Sequence, residues 1–210
     1  MRIIKVATDD GNAYYDIVSR LKGTHLSYSS HASGQAGATP DDLVITSKEE
    51  AKAFANAVAI EDLNDDPLIM EGQLLSRLLD ESRKNILVGI DPGSRIGVAV
   101  FYCGRELGAL TTDSVEKVVG SLVVLEKEVP HSSFLVKIGG GEPRSSTRLA
   151  RTLREALPIS ASIEIVDESG TSAGRRGAIG AARDKRAAAR IAFRNGVRFS
   201  DSAPQRKNRS

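Results

Sequence analysis

Short apolar runs alternate with polar, glycine-containing turns over the first 85 residues, and this pattern predicts a small α/β unit. The predicted strands of this unit are 3–7, 26–28 and 42–46. Ser47 and Glu50 have the spacing of a capping box, which predicts the start of a helix there. The other predicted helices are 12–21, capped by Asn12 and stopped by Gly23, and 70–84, where leucines recur at helical spacing.

The rest of the chain alternates strand-like and helix-like segments, and this order predicts a second α/β unit. Its first strand, 86–90, is a continuous apolar run, as expected for a central buried strand. The further predicted strands are 97–101, 107–112, 134–138 and 163–166. The predicted helices are 114–128, 145–157 and 181–194. The expected domains are therefore 1–84, 85–199 and a basic, disordered tail at 200–210.

Composition narrows the class of protein. The 210 residues are 40% hydrophobic and 27% charged, which excludes a mostly disordered or collagen-like chain. No apolar run approaches the ~18 residues that a membrane helix needs, and Met1 leads directly into a strand-like segment instead of a secretory signal. The single cysteine, Cys103, excludes an internal disulfide framework and a cysteine-rich zinc site. We therefore expect a cytoplasmic location and no association with membranes.

Charge is distributed unevenly along the chain. Residues 1–85 contain 9 Lys and Arg against 14 Asp and Glu, whereas residues 144–210 contain 15 against 6. A basic third on a chain of formal net charge +2 favours a polyanionic partner, most simply nucleic acid. Charge alone leaves open the alternative that this region is a solvated basic surface without a specific partner.

Several carboxylates follow predicted strands or begin a predicted helix. These candidate site residues are Asp91, Glu142, Asp167, Glu168 and Asp184. Ligands of α/β sheets gather outside the carboxyl ends of the strands, so side chains at those ends can converge. Clustered carboxylates repel one another unless a cation neutralises them, and hard oxygen ligands select Mg²⁺ or Mn²⁺. The alternative for each carboxylate is solvent exposure or helix capping.

Three segments resemble the RuvC/YqgF-type resolvases of the RNase H-like superfamily. Residues 87–100, with the core Gly-Ile-Asp-Pro-Gly-Ser-Arg-Ile-Gly-Val-Ala-Val, resemble the first motif of these proteins. Residues 166–172 resemble their Asp-Glu-x-x-Thr-Thr/Ser segment, with Asp167 and Glu168 in register. Residues 184–192 resemble their final Asp-x-x-Ala-Ala-x-x-Ile helix. The resemblance covers about residues 85–196.

The resemblance implies an RNase H-like mixed sheet with flanking helices, preceded by the small α/β domain. It implies that Asp91 and Asp184 are metal ligands, with Asp167 or Glu168 completing the set and Glu142 a further candidate. The implied cofactor is Mg²⁺ or Mn²⁺. The implied activity is metal-dependent cleavage of structured nucleic acid, either a branched DNA junction or a structured RNA, with metal-activated water attacking the scissile phosphorus. A homodimer is implied as well.

Basic residues accompany these motifs and are expected to contact a nucleic-acid backbone. Arginine forks and glycine-rich backbone suit phosphate contacts, and arginines spaced by three and four residues share one helix face. The candidates are Arg95, Arg144, Arg148, Arg151, Arg175, Arg176, Arg183, Lys185 and Arg186.

Two other functions remain open. A non-catalytic nucleic-acid or partner-binding module on the same fold is favoured by Glu142, which lies later than either resolvase pattern predicts. The interval from Thr171 to Asp184, shorter than in the YqgF group, favours it too. The Asp-Pro-Gly-Ser-Arg turn at 91–95 also looks like the first phosphate loop of actin and sugar-kinase ATPases. Those proteins need a second similar domain, for which residues 1–85 are too short.

Overall fold

The computed structural model describes residues 3–31, 37–79, 84–167 and 180–200, and the chain divides into two units. The first unit comprises Met1–Lys84 together with Val124–Ser132, and the second comprises Asn85–Val123 together with Ser133–Ser210. Both contain a β-sheet and helices, which confirms the predicted mixed α/β class. The predicted disordered tail is 200–210, of which 201–210 lie outside the described residues. Across the described part of the chain, no helix is long and apolar enough to cross a membrane.

The first unit is built on a four-stranded parallel sheet in the order β2-β1-β3-β4. Its strands are β1 (Ile4–Ala7), β2 (Tyr28–His31), β3 (Leu43–Thr46) and β4 (Ala57–Ala59). Its α-helices are α1 (Gly11–Leu21) and α2 (Pro67–Leu78), and 3-10 helices span Ala51–Ala53 and Ile60–Asp62. Apolar side chains of β1 and β3 pack with Ile17, Leu21, Met70 and Leu74 in one buried cluster.

Local capping chemistry explains where the helices of this unit differ from the prediction. Asp10, not Asn12, caps α1, because its carboxylate accepts the Asn12 backbone N–H at 2.8 Å. Helix α2 begins earlier than predicted, since Asp66 caps it and Pro67 occupies its first position. The predicted helix from Ser47 is wrong: the segment forms only a 3-10 turn before the unpredicted strand β4.

Glu50 is held at the carboxyl ends of β1 and β3 by several donors. Its carboxylate accepts the Asp9 backbone N–H at 2.9 Å, the Thr46 hydroxyl at 3.1 Å and the Ser47 hydroxyl at 3.0 Å. Burial by itself raises the pKa of Glu50, but these hydrogen bonds and one with the Thr8 side chain outweigh it and lower the pKa from 4.5 to about 2. The ionised carboxylate therefore stabilises the folded unit.

We expect the contribution of Glu50 to stability to depend on pH. A depressed folded-state pKa gives stability that is present above the unfolded pKa and is lost as the pH falls toward about 2. Glu50→Gln should therefore lower the urea midpoint of unfolding most near neutral pH and progressively less below about pH 4.5. The exposed neighbour Glu49, changed to Gln, is the control. A deficit of Glu50→Gln that is the same at every pH would contradict this account.

The second unit contains a six-stranded mixed sheet in the order β10-β9-β8-β5-β6-β7. Its strands are β5 (Asn85–Asp91), β6 (Ile96–Tyr102), β7 (Arg105–Thr112), β8 (Ser133–Gly139), β9 (Ser162–Val166) and β10 (Gly196–Arg198). Its helices are α3 (Val115–Glu128), whose last residues group with the first unit, α4 (Pro143–Ala156) and α5 (Ala181–Ala192). Strands β5, β8 and β9 are parallel, whereas β6, β7 and β10 run antiparallel to their neighbours. Strand β10 was not predicted.

Helix α5 packs directly on the backbone of β5 and β6. A β-carbon placed on Gly89 would lie 2.7 Å from the Ala192 nitrogen and 2.9 Å from the Ala192 β-carbon, and it would collide with the Ala188 carbonyl oxygen. The small side chains of Ala188 and Ala192 pack with Ala99 and Phe101 in a buried cluster. Glycine on the strand and alanine on the helix are needed at these contact points, because larger side chains would keep α5 away from the sheet.

The other face of this sheet carries α4. The connections β7–α3–β8 and β8–α4–β9 both join parallel strands and advance in one direction across the sheet, so right-handed crossovers place α3 and α4 on the same face. Ile165 of β9 lines a cleft with Ser146 of α4, and it faces away from Lys137 of β8, whose amine reaches the end of α5. Helix α4 therefore lies on the face opposite α5. Leu149 and Leu153 are the buried anchors of α4 on that face. The sheet is thus covered on both sides, and the carboxyl ends of its three parallel strands form one edge.

Candidate metal and nucleic-acid site

Asp91 is the last residue of β5 and points toward the α5 side of the sheet. It pairs with Gly97 of β6, and directly opposed residues of an antiparallel pair share a face. Gly97 faces α5, because a β-carbon placed there would lie 2.6 Å from the carbonyl carbon of Asp184. The Asp91 side chain, half-buried at the strand end, therefore lies on the face that α5 covers.

Asp184 is in the first turn of α5, above the residue that pairs with Asp91. Its β-carbon is 3.2 Å from the position that a β-carbon of Gly97 would take. The Arg95 Nε, in the turn between β5 and β6, lies 3.8 Å from Asp184 Oδ2. Asp91, Asp184 and Arg95 thus meet at one end of one face, where the guanidinium offsets part of the negative charge.

Glu142 and Asp167 lie at the same edge but not with this pair. Glu142 is the exposed residue before α4, and its backbone carbonyl accepts the Ser146 hydroxyl at 2.9 Å. Asp167, exposed after β9, lines an open cleft of about 470 Å³ with Pro143, Ser146 and Val197. Among the described residues, no three His, Cys, Asp or Glu side chains form a group that could hold a metal ion. Glu168 lies outside the described residues.

The donor chemistry of Asp91 and Asp184 fits Mg²⁺ or Mn²⁺. Both offer hard carboxylate oxygens, and Mg²⁺ in proteins is commonly held by one or two carboxylates while it keeps several water ligands. Asp184 retains about a quarter of its side-chain exposure, so water has access to it. A bound cation would also replace Arg95 as the partner that offsets the charge of Asp184.

Apart from Arg95, the basic candidates that the structure describes form two groups in the second unit. Arg183, Lys185 and Arg186 are exposed around Asp184 at the start of α5. Arg144, Arg148 and Arg151 are exposed on the outer side of α4 and line an open groove of about 540 Å³. Arg175 and Arg176 lie outside the described residues.

Two supporting features were missed by sequence reasoning. Lys137, largely buried on β8, donates to the carbonyl oxygen of Arg194 and lies 3.7 Å from Glu164 Oε2. It thereby ties the C-terminal end of α5 to the sheet, where a cation also complements the helix dipole. Gly97 sets the height of Asp184 above the sheet. Two sequence signals could have revealed these features: Lys137 interrupts the apolar run 134–138, and Gly97 lies opposite Asp91 in the predicted hairpin.

A scan against protein-family models finds no match, and a search of curated proteins finds none either. The functional interpretation of the site therefore rests on the site residues, on their geometry and on the resemblance of three short motifs.

We expect Gly97→Ala to displace the start of α5. The added methyl group would overlap the Asp184 backbone, and such overpacking costs about 1–3 kcal/mol. Urea-dependent hydrogen exchange of peptides from α5 should report this loss. Gly120→Ala in α3 is the control, because a β-carbon there meets no atom within 4 Å and should stabilise its helix by about 0.5–1 kcal/mol. Equal stability of the two variants would contradict the close packing of α5.

Proposed function

We propose that the protein is a metal-dependent endonuclease with an RNase H-like fold that cleaves structured nucleic acid, in the manner of a Holliday-junction resolvase. The observation that carries the proposal is that Asp91 and Asp184 lie on the same face at the same end of the sheet, Asp91 beside Gly97 and Asp184 above it. These are two of the acidic positions that the resolvase resemblance marks as metal ligands. Branched DNA and structured RNA are the candidate substrates.

The order of elements in the second unit supports the RNase H-like part of the proposal. Three antiparallel strands come first, and two helix–strand pairs and helix α5 follow, before the short strand β10. The resemblance implies this order, with one acidic residue ending the first strand and another beginning the last helix. A homodimer and a cytoplasmic location complete the proposal, the first from the resemblance and the second from the single cysteine.

In the proposed mechanism, Asp91 and Asp184 would hold Mg²⁺ or Mn²⁺ through their carboxylate oxygens. A metal bound there would supply Lewis-acid activation of water and stabilisation of the charge that develops on the phosphate. Arg95, about half exposed, presents guanidinium donors beside the pair and can orient a phosphate oxygen. The exposed basic residues at the start of α5 balance the charge of the approaching backbone.

A non-catalytic nucleic-acid-binding module is the second candidate. It is favoured by the positions of Glu142 and Asp167, which lie apart from the Asp91–Asp184 pair within the described residues. The ATPase alternative loses support, because the first unit has a fully parallel sheet and is not a second copy of the fold that carries Asp91.

Cleavage of labelled substrates separates these candidates. With Mg²⁺ or Mn²⁺, the wild type should cut a four-way junction more readily than duplex or single strands. Asp91→Asn and Asp184→Asn should each reduce the rate at least about 100-fold, since metal catalysis supplies several kcal/mol of transition-state stabilisation. Binding of the junction should change far less.

Glu106→Gln is the control for loss of an exposed carboxylate, because Glu106 lies near the opposite end of the sheet. Undiminished cleavage by Asp91→Asn would overturn the assignment of the site. Salt-sensitive binding without cleavage by the wild type would favour the binding module.

A further inference from the structure

Helix α5 begins after a residue that cannot cap it. That residue is Gly180, which has no side-chain oxygen to accept the first backbone N–H groups of the helix. Within the first turn, the Arg183 N–H donates to the Gly180 carbonyl oxygen at 2.9 Å, whereas the Asp184 N–H donates to it over a longer 3.4 Å. Because weakly held helix ends fray, the turn that carries Asp184 depends on the sheet for a fixed position.

Strand β7 contacts this turn through Thr111. Thr111 pairs with Gly97 of β6, and Gly97 pairs with Asp91 of β5, so the three residues form one row on the face that α5 covers. The Thr111 hydroxyl donates to the backbone carbonyl oxygen of Ala181, the first residue of α5, at 3.3 Å. This hydrogen bond therefore ties the start of the helix to the row that contains Asp91.

The contacts of α5 follow the spacing of the strands beneath it. Ala181 contacts β7 and Asp184 contacts β6, so three helix residues, which rise about 4.5 Å, cover the ~4.8 Å between neighbouring strands. One turn further along, Ala188 meets Gly89 of β5. The helix thus advances by about one strand per turn, and the tie at its start sets which helix residue lies nearest to Asp91.

The other end of α5 has a tie of its own. Lys137 of β8 donates to the carbonyl oxygen of Arg194, just after the helix. Loss of the Thr111 hydroxyl should therefore loosen the start of α5 and leave its end in place.

We infer that Thr111 is a positioning residue, whose hydroxyl holds the first turn of α5 so that the Asp184 carboxylate stays beside Asp91. A cation shared by two carboxylates binds more tightly when both are already in place, since ordering one of them would otherwise oppose binding. The role toward a cation rests on the proposed function, whereas the tie between Thr111 and the helix does not.

Three threonine variants test the inference. Thr111→Val removes the hydroxyl and keeps the branched shape of the side chain, whereas Thr111→Ser keeps the hydroxyl. The matched control is Thr112→Val. Thr112 is the next residue of β7, it pairs with Ile96 on the opposite face, and its hydroxyl oxygen accepts the Ser114 N–H at 3.1 Å. The control therefore loses one hydrogen bond of the same strand without touching α5.

Hydrogen exchange of the metal-free protein measures the tie directly. In Thr111→Val, peptides from the first turn of α5 should exchange about 3- to 10-fold faster, the effect of one lost hydrogen bond, while peptides from its last turn stay unchanged. Thr111→Ser and Thr112→Val should match the wild type within about 2-fold at the start of α5. Equal exchange of the first turn in Thr111→Val and the wild type would overturn the inference.

Affinity for Mn²⁺, measured by electron paramagnetic resonance of the free ion, tests the effect on the site. Thr111→Val should bind Mn²⁺ about 3- to 10-fold more weakly, and Thr111→Ser should restore the wild-type affinity within about 2-fold. A threonine that only stabilises the fold would lower the urea midpoint without changing this affinity. Equal weakening of Mn²⁺ binding in Thr112→Val would also overturn the positioning role.

The variant Asp91→Asn keeps this inference separate from the proposed function. If Mn²⁺ binding depends on Asp91 but not on Thr111, the metal site stands and the positioning role is refuted. If Mn²⁺ binding does not depend on Asp91, the proposed metal site fails, and hydrogen exchange at the start of α5 alone decides whether Thr111 holds the turn that carries Asp184.

Discussion

The direct contact between α5 and the glycines of β5 and β6 is the constraint on which the second unit depends. Gly89 lies beneath the last turns of α5 and Gly97 beneath its first, so the helix lies almost on the sheet backbone along its length. Alanines at the same crossings complete the fit. Because Asp184 is in the first turn, this packing carries its carboxylate down to the strand end where Asp91 is. The packing of α5 on the two glycines therefore determines both the position of the helix and the geometry of the Asp91–Asp184 site.

Charge is distributed so that the acidic pair is bordered by cations. Arg95 contacts Asp184, and the start of α5 and the outer side of α4 add exposed basic side chains on the two faces of the sheet. Such an arrangement lowers the cost of bringing a phosphate backbone to two carboxylates, since cations flank the place where the anions would meet. In the first unit a charged group has a different role, because the Glu50 carboxylate accepts hydrogen bonds from several donors of the same unit.

Local signals in the sequence predicted the elements around the site. The apolar run that ends at Asp91 is a central strand, and Asp184 begins the last helix, because each pattern reflects burial on the sheet. The three-residue strands β4 and β10 were missed, since so short a segment has no readable periodicity and forms through pairing with its neighbour. The separation of Asp167 from Asp91 could not be predicted from local sequence patterns either. It follows from the strand order, which places β8 between β9 and β5.

We propose that Asp91 and Asp184 hold one divalent cation. Crystals soaked in Mn²⁺ and measured at a wavelength that gives manganese anomalous scattering test it most directly. If the two carboxylates share the cation, an anomalous peak should lie about 2.0–2.5 Å from a carboxylate oxygen of each residue and should be lost in crystals of Asp91→Asn. Manganese bound only elsewhere, or a peak that persists unchanged in that variant, would contradict it.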